Sequence, residues 1–414
     1  MRQRSNSSFR AAQSDDIDHA KSVGVLQSTN HGPHFGLVKT GSETWSCAWS
    51  PDGLYFAWSS GNRKVHLVPW NQSKQCLVRD DPYDTEGRRC DQPARVLDCG
   101  DYVWSLDIGT GHSYPSRKGQ SSLWRRFSFS DEIILAVGLQ KGHIKLWDCR
   151  TGQLLMELLD HKDIVRNLHF APDHSLLLVS ASRDGTLKLW DLNDDGNMMK
   201  TLRGDAKWVN GCAWSPDATM LAGVGNFKSV IIWDMKLKTI VRKLVGHLHD
   251  VSACKFSPDG ALLATASFDT RVIIWDPYIG DILLQLHHLY PPPSPIFAGG
   301  ANDHYVRGLS VSCDGLHLST VAEDGYVRFW DLEDFADPIL VGSVNNAVCC
   351  SYSPDGTVVA VGDTNGSVEF FAAPQEVPTL QHCTRMTIRR RVPSTKIDML
   401  FLPLRVKEYL KYKI

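Results

Sequence analysis

The chain has 414 residues, room for roughly two to four domains of ordinary size or for one large repeat array. Hydrophobic residues make up 43% and charged residues 22%, which excludes a chain that is disordered throughout. The formal net charge of −2 argues against nucleic-acid binding by bulk electrostatics, and no apolar run is long enough to predict a membrane span. The 13 Trp residues are unusually many and require an explanation.

The 11 cysteines are scattered along the chain and form no Cys-x-x-Cys pair. Cys212, Cys254 and Cys349 lie inside apolar segments that alternate like strands. This usage is typical of buried, reduced thiols, and it predicts an intracellular protein, cytoplasmic, nuclear or both. The N-terminal segment 1–22 lacks an apolar stretch, so we expect no signal peptide.

A Trp-Asp dipeptide recurs through the middle of the chain, each time at the end of an alternating, strand-like segment. The five copies are Trp147-Asp148, Trp190-Asp191, Trp233-Asp234, Trp275-Asp276 and Trp330-Asp331. The first four follow one another at about 43 residues, a period typical of repeat architectures. A turn signal of the Ser-Pro-Asp-Gly kind lies upstream of most copies, as at Ser257–Gly260.

Two degenerate copies extend the array, one ending at Trp70 and one at Phe371. The seven units end near residues 70, 147, 190, 233, 275, 330 and 371. Their period and Trp-Asp ends resemble WD repeats, in which each unit is a four-stranded blade. The resemblance implies an all-β fold, a seven-bladed β-propeller over 34–373, because stacked blades bury faces that one sheet cannot bury alone. The many Trp residues would then fill the space between blades.

The WD-repeat resemblance also implies a buried hydrogen-bond chain of His, Ser or Thr, Asp and Trp within a blade. Two units carry it, at His161, Ser182, Asp184 and Trp190, and again at His247, Ser267, Asp269 and Trp275. A carboxylate buried in this way needs all its partners. The unit ending at Trp233 departs, with Asp205 at the His position and Phe227 at the Asp position, so we expect packing to hold that blade.

Several segments fall outside the repeat. Polar, glycine-rich or proline-rich insertions interrupt it at 71–96, 109–123 and 287–305. Segment 1–33 is predicted to be disordered, and residues 35–40 are an expected outer strand that closes the last blade.

The C-terminal tail has a different character. Residues 378–414 hold nine Lys or Arg against two acids, a net charge of +7 that leaves −9 for the rest. Small or apolar residues recur there at helical spacing, at Leu380, Cys383, Thr384, Thr387 and Ile388. Basic residues occupy the other face, and Arg389–Arg391 are interpreted as solvated rather than as a nuclear-localisation patch. A tail too short for its own core predicts a partner for the apolar stripe.

Residues 374–414 resemble a SOCS box. The resemblance implies that elongin C binds Thr379, Leu380, Cys383, Thr384 and Ile388. It implies that a cullin binds Leu400, Leu402, Pro403, Tyr409 and Leu410. The tail departs from the SOCS-box pattern at two positions, since Thr384 replaces the usual Cys and Phe401 replaces the first Pro of the cullin segment.

A propeller followed by this tail resembles the family of WD-repeat proteins that carry a SOCS box. Membership of this family implies that the chain is a substrate-recognition subunit of an elongin BC–cullin–SOCS-box E3 ubiquitin ligase. Its partners would be elongins B and C, a cullin of the cullin-5 type with its RING partner, and an unidentified target protein on the propeller. We expect neither nucleic acid nor membrane among them.

No catalytic or cofactor motif accompanies the repeats, so we expect a non-catalytic adaptor without cofactor or metal. The close histidines, His247 with His249 and His287 with His288, are interpreted as structural or surface groups. The alternative function is a WD-repeat scaffold that assembles partners without ligase recruitment. The two hypotheses differ in whether the stripe of the tail is free or buried against the propeller. An enzyme built in the central channel is the third possibility, and no titratable cluster in the sequence supports it.

Overall fold

The computed structural model describes residues 21–28, 43–61, 63–77, 94–111, 132–288, 305–333 and 337–413. Within this part, thirty strands form seven sheets, and three helices follow them. The innermost strands contact one another in a closed cycle, which makes the array a seven-bladed β-propeller and confirms the predicted fold. No helix of the described part is long and apolar enough to cross a membrane.

The described part of the chain starts with two short strands, β1 (Lys21–Ser22) and β2 (Val25–Ser28), and the blades then follow in order. Blade 1 contains β3 (Cys47–Trp49), β4 (Tyr55–Ser60), β5 (Lys64–Asn71), β6 (Cys76–Leu77) and β7 (Arg95–Asp98). Blade 2 contains β8 (Val103–Thr110), β9 (Ile133–Leu139), β10 (Ile144–Asp148) and β11 (Leu154–Leu158). Blade 3 contains β12 (Val165–Phe170), β13 (Leu177–Ser182), β14 (Thr186–Asp191) and β15 (Asn197–Arg203), with a 3-10 helix at Leu192–Asp194.

Blade 4 contains β16 (Val209–Trp214), β17 (Met220–Gly225), β18 (Phe227–Asp234) and β19 (Thr239–Val245). Blade 5 contains β20 (Val251–Phe256), β21 (Leu263–Ser267), β22 (Arg271–Trp275) and β23 (Ile282–His287). Blade 6 contains β24 (Val306–Val311), β25 (His317–Ala322), β26 (Tyr326–Asp331) and β27 (Leu340–Ser343). Blade 7 contains β28 (Ala347–Tyr352), β29 (Val358–Asp363) and β30 (Val368–Ala372). The tail contains α1 (Leu380–Arg389), α2 (Ser394–Ile397) and α3 (Leu404–Leu410).

The core consists of apolar layers between neighbouring blades. Second strands such as β9 are buried at every position, because each lies between two other blades. The Trp residues at the unit ends pack in these layers, Trp190 against blade 2 and Trp233 against blade 3. The structure therefore accounts for the high Trp content as the sequence predicted.

The recurring Ser-Pro-Asp-Gly turn joins the first strand of a blade to the second. In blade 5 the Ser257 hydroxyl donates to Asp259 Oδ1 at 2.5 Å and accepts from the Leu262 amide at 2.9 Å. Gly260 has a φ of +70°, which side chains with a Cβ rarely adopt. The motif thus encodes a tight turn by local hydrogen bonds and one left-handed residue.

The last blade is closed by an N-terminal strand, but not by the segment predicted. β2 pairs antiparallel with β30, and β1 pairs parallel with β27 of blade 6. The prediction of disorder over 1–33 is therefore wrong for residues 21–28, while the rest of that segment and residues 35–40 lie outside the described residues. A strand at the edge of a sheet is held by backbone hydrogen bonds and needs little side-chain burial. Val25 is 45% and Leu26 47% exposed, so no strong hydrophobic pattern marks this strand in the sequence.

A buried hydrogen-bond chain runs through blade 3, with a different serine from the one predicted. His161 Nδ1 lies 2.7 Å from Asp184 Oδ2, and His161 Nε2 lies 2.6 Å from Ser180 Oγ. The Trp190 indole donates to the same Ser180 hydroxyl at 2.8 Å. Ser182, the predicted member, instead donates to a backbone carbonyl of the preceding loop at 3.0 Å.

Blade 5 repeats the arrangement with Thr265 in place of the predicted Ser267. His247 Nδ1 lies 3.0 Å from Asp269 Oδ2, and its Nε2 lies 2.8 Å from Thr265 Oγ1. Trp275 donates to the same hydroxyl at 2.8 Å, whereas Ser267 donates to a loop carbonyl at 2.9 Å. Both serines were placed two residues too late.

The strand register explains the error. Residues two apart face the same side of a strand, so alternation alone does not separate Ser180 from Ser182. Trp190 lies opposite Leu178, and its indole therefore reaches diagonally to Ser180. In blade 6, Trp330 donates to Thr320 at 2.8 Å, and Thr320 contacts His288 Nε2 at 3.0 Å.

The sequence did not reveal this third chain, because the insertion at 287–305 separates its histidine from the repeat spacing. His288 is thus a structural group. In blade 4, Lys243 contacts Asp205 at 2.6 Å and lies 4.5 Å from the Phe227 ring centroid. The expectation that packing holds this blade stays a prediction.

Candidate functional site

The tail helix α1 rests on the propeller through its basic face. Thr379 caps the helix by accepting from the His382 amide at 3.1 Å. His382 Nε2 lies 2.8 Å from the Asp314 carbonyl, and Arg385 Nη2 donates to Glu333 Oε1 at 2.5 Å, both in blade 6. Met386 is also buried on this face.

The interpretation of Arg389–Arg391 as a solvated face is therefore wrong for Arg389, which is 2% exposed. Its guanidinium donates to Ser394 Oγ at 2.7 Å and to the Val392 carbonyl at 3.2 Å. A long basic side chain can be buried where its N–H groups find acceptors and its stem packs on apolar surface. Arg390 and Arg391 are exposed, as expected.

Two tyrosines join the end of the tail to the same contact. Arg385 lies 4.4 Å from the Tyr409 ring centroid and 4.0 Å from that of Tyr412. The Tyr412 hydroxyl donates to Asp259 Oδ2 in blade 5 at 2.8 Å, and burial next to this carboxylate raises the pKa of Tyr412 well above its usual range. The tail thus contacts both blade 5 and blade 6.

The opposite face of α1 carries the predicted elongin-binding residues, and it is open. Leu380 is 84% exposed, Cys383 and Thr384 are exposed, and Ile388 is half-buried. The Thr384 hydroxyl donates to the Leu380 carbonyl at 2.7 Å, so its hydrogen bond is made within the helix. We call Leu380, Cys383, Thr384, Thr387 and Ile388 the α1 stripe. Its Thr384 therefore needs no polar partner on another protein.

A second apolar surface precedes α3. The three most exposed residues there are Met399 at 78%, Phe401 at 106% and Leu404 at 71%, none of which belongs to the predicted cullin-binding set. They come from the continuous run Met399–Leu404, which reads as apolar on every side. The available signal for this exposed surface was a run of apolar residues without the periodicity of a helix or a strand.

The predicted cullin-binding residues are distributed unevenly over this surface. Leu402 and Pro403 are exposed, and Leu400 and Tyr409 are half-buried. Leu410 is 2% exposed, so it packs inside the tail and is at odds with direct contact to a partner. It is the one residue of α3 that is buried.

Titratable groups converge in the central channel, which the sequence did not predict. Asp107, His169 and Lys255 line a cavity of about 340 Å³. Lys255 Nζ lies 3.0 Å from His169 Nε2, and the Phe170 amide donates to Asp107 Oδ2 at 2.6 Å. The three groups come from β8, β12 and β20, and only ring closure brings them together.

Burial dominates the electrostatics of this cluster. Burial raises the pKa of Asp107 to about 6, and burial together with Lys255 holds the pKa of His169 well below its usual range. Burial also raises the pKa of the nearby Cys254 thiol to about 12, which makes it a poor nucleophile at neutral pH. The ten cysteines of the described residues are free thiols.

Sequence profiles of two families match the chain. The WD domain, G-beta repeat, matches the segments of blades 3 to 7, at 152–191, 196–234, 238–276, 295–331 and 338–371. The SOCS box matches residues 376–411, which contain all three helices of the tail. Blades 1 and 2 complete the ring in the structure.

Proteins named WD repeat and SOCS box-containing protein 1 are similar to this chain over most of its length. The Homo sapiens protein is 51% identical over 392 residues, which cover 91% of this chain and 93% of the relative. The Danio rerio protein is 49% identical over 394 residues, with 91% and 92% covered. The Takifugu rubripes protein is 45% identical over 432 residues, with 97% of each covered. Because this similarity includes both the blades and the tail, the chain belongs to the family of WD repeat and SOCS box-containing proteins.

Proposed function

We propose that the chain is a non-catalytic substrate-recognition subunit of an elongin BC–cullin–SOCS-box E3 ubiquitin ligase. The propeller holds the target protein, and the tail binds elongin C and a cullin of the cullin-5 type with its RING partner. Ubiquitin transfer is then performed by the recruited partners inside the cell, in the cytoplasm, the nucleus or both. The chain contributes by raising the effective concentration of the target near them.

The exposed α1 stripe is the observation that carries this proposal. Apolar burial is worth about 25 cal/mol per Å², so a tail whose role was only to pack on the blades would bury its apolar face. In α1 the buried face contains His382, Arg385 and Arg389, and Leu380 points away from the propeller with 84% of its surface exposed. An unpartnered apolar stripe on a docked helix supports a further protein partner.

Thr384 is compatible with this role. The SOCS-box resemblance places a Cys at this position, and a threonine hydroxyl in an apolar pocket would ordinarily be penalised. Here the hydroxyl donates to the Leu380 carbonyl, which leaves the methyl group to face the partner. Cys383, one residue earlier, adds a small apolar surface beside it.

The exposed run Met399–Leu404 supports the proposed cullin contact. Leu402 and Pro403 belong to the predicted cullin-binding set, and Phe401 adds a fully exposed aromatic side chain beside them. Aromatic and aliphatic side chains exposed in a cluster are typical of interfaces. Leu410 would act indirectly, by holding α3 in place.

The test is co-elution with elongins B and C on a gel-filtration column. The intact chain is compared with Leu380→Asp, which places a charge at the N-terminal end of the α1 stripe. Leu237→Asp is the matched control, because Leu237 is 72% exposed in the turn between β18 and β19 of blade 4. We expect the intact chain and the control to co-elute with the elongins and Leu380→Asp to elute alone. Failure of the intact chain to co-elute would favour the scaffold hypothesis instead.

A further inference from the structure

Six innermost strands carry an irregularity at the same end of the channel. In β8, β12, β16, β20, β24 and β28 the pairing with the second strand skips one residue near the start of the strand. The skipped residues are Trp104, Arg166, Asn210, Ser252, Arg307 and Val348. A β-bulge re-aims the side chain of the extra residue, and such bulges cluster near functional sites.

All six side chains line the 340 Å³ cavity of the channel, together with Trp45. We call these seven residues the mouth ring. The described residues that line this cavity include three cations, Arg166, Lys255 and Arg307, against one carboxylate, Asp107. The cavity is therefore positively charged although the chain outside the tail is acidic.

Arg166 is the cation of the ring that has no carboxylate partner among the described residues. Arg307 pairs with Glu323 at 2.5 Å between Nε and Oε1, whereas no carboxylate of the described residues pairs with Arg166. The Arg166 guanidinium lies 4.6 Å from the Trp104 ring centroid and 5.8 Å from that of Trp45. Burial and the charges of Arg183 and Arg307 lower its pKa to about 10, so it remains charged at neutral pH.

Two buried donors lack an acceptor among the described residues, one in the mouth ring and one on Arg183, which stacks on Trp208 and does not line the cavity. They are the indole Nε1 of Trp104 and the guanidinium Nε of Arg183. Native proteins rarely leave such groups unsatisfied, because an unpaired buried donor is costly. Arg166 and the Trp104 N–H have no anionic or neutral acceptor among the described residues, and one anionic acceptor in the cavity would satisfy both.

We infer that the mouth ring binds an acidic side chain, a carboxylate or a phosphate ester, presented by an extended peptide of the target protein. A planar guanidinium and N–H donors match the oxygens of both groups. A second groove of about 270 Å³, lined by Glu43, Gly61, Tyr102 and the two indoles, shares the indoles with the ring and offers room for the peptide next to the anion. Because Glu43 is acidic, we expect the peptide residue in this groove to be neutral or basic. The inference rests on the proposed function in taking the peptide from a ligase target.

The test measures fluorescence anisotropy of labelled nonapeptide pools. The pools are degenerate at eight positions and carry Glu, phosphoserine or Gln at the centre. We expect the Glu or the phosphoserine pool to bind at least about fivefold more tightly than the Gln pool, with a preference that decreases as salt is raised. The tighter of the two anionic pools identifies the source of the charge.

Variants locate the site. Arg166→Gln should abolish the preference for the anionic pools. Arg183→Gln, which changes a half-buried residue, should reduce this preference and is the variant to use if Arg166→Gln folds poorly. Arg203→Gln removes an exposed arginine from the outer strand β15 and should leave the preference unchanged. Equal binding of the three pools, or no binding of any, would overturn the inference. Tighter binding of an oligothymidylate than of either anionic pool would assign the mouth ring to nucleic acid and overturn it as well.

Elongin co-elution of the same preparations separates this inference from the proposed function. An intact chain that binds elongins without an anionic preference refutes the mouth ring alone. An intact chain that prefers anionic peptides but fails to bind elongins refutes the ligase role and leaves the mouth ring in place.

Discussion

The guanidinium of Arg385 in α1 and the carboxylate of Glu333 in blade 6 lie 2.5 Å apart, and this pair ties the tail to the propeller. Arg385 is 4% exposed and also stacks on Tyr409 and Tyr412. The contact uses the basic face of the helix and therefore leaves the apolar stripe outward. A target on the propeller and a partner on the stripe would then be held in a defined relative orientation.

Removing the charge of Glu333 should loosen the tail. We expect Glu333→Gln to cost about 1–3 kcal/mol, because the buried Arg385 loses its ionic partner. Hydrogen exchange of the amides in α1 and α3 should become faster, and exchange in blades 2 to 4 should be unchanged. Asp205→Asn is the control, because it breaks the ion pair between Asp205 and Lys243, whose side chains are 58% and 41% exposed. This substitution should cost under about 1 kcal/mol. Unchanged exchange in α1 would show that the pair does not hold the tail.

The corrected hydrogen-bond chain predicts a specific role for Thr265. Thr265→Val keeps the shape of the side chain but leaves the Trp275 indole and His247 Nε2 without a partner. We expect the free energy of unfolding to fall by about 1–3 kcal/mol, measured by urea denaturation. Thr239→Val, at an exposed position of β19, should change it by less than about 0.5 kcal/mol. Equal effects of the two substitutions would argue against the assigned chain.

Acid should weaken the propeller through its buried aspartates. Burial alone would raise the pKa of Asp269, but hydrogen bonds from His247 and the Leu248 amide lower it below its ordinary value. A carboxylate with a lowered folded-state pKa stabilises the protein above the unfolded pKa of about 4, and that stabilisation is lost as pH falls.

The difference in unfolding free energy between the intact chain and Asp269→Asn should therefore shrink as pH falls below about 4. Guanidinium denaturation at several pH values measures it. Asp337→Asn removes an exposed carboxylate and serves as the control. A difference that is independent of pH would mean that folding leaves the pKa of Asp269 unchanged, which would contradict the assigned hydrogen bonds.

Thr384 should be a tolerant position in the α1 stripe. Because its hydroxyl is satisfied within the helix, Thr384→Val is expected to change the affinity for elongin BC by no more than about threefold. Thr384→Asp should lower the affinity by more than about tenfold, since it buries a charge in an apolar contact. Isothermal titration calorimetry with purified elongin BC measures both, and a large loss for Thr384→Val would contradict the inward hydrogen bond.

Substitutions of Leu410 and Leu402 should distinguish a residue that stabilises the tail from a residue that binds the cullin. Leu410→Ala removes a buried side chain and should destabilise α3 by about 2–5 kcal/mol, seen as faster amide exchange. Leu402→Ala removes an exposed one and should leave exchange unchanged while weakening cullin capture by the elongin-bound chain. If Leu402→Ala destabilised the tail and left cullin capture intact, the proposed surface would be wrong.

The repeat architecture could be predicted because it depends on local signals that recur. Turn residues such as Asp259 and Gly260 and the strand-end Trp275 each act within one blade, so their spacing shows in the sequence. The choice between Ser180 and Ser182 depends on which residue lies diagonal to an indole across the sheet, and alternation does not carry that information. The closing strand at Val25–Ser28 is held by backbone pairing, which has little sequence signature.

Features that depend on contacts between distant segments were not predictable in the same way. The burial of Arg385 follows from Glu333, 52 residues earlier in the chain. The cluster of Asp107, His169 and Lys255 exists because three innermost strands meet at the channel. The α1 stripe was visible at helical spacing, but which face of the helix would meet the propeller required the structure.

Alkylation of Cys383 tests whether the α1 stripe is covered by elongin BC. Cys383 in the α1 stripe and Cys313 in blade 6 are the two exposed thiols of the described residues. Mass spectrometry can follow both during treatment with iodoacetamide, with and without elongin BC. We expect elongin BC to slow alkylation of Cys383 by at least about tenfold and to leave alkylation of Cys313 unchanged. Unchanged alkylation of Cys383 at saturating elongin BC would contradict the claim that the α1 stripe is the surface that recruits the ligase.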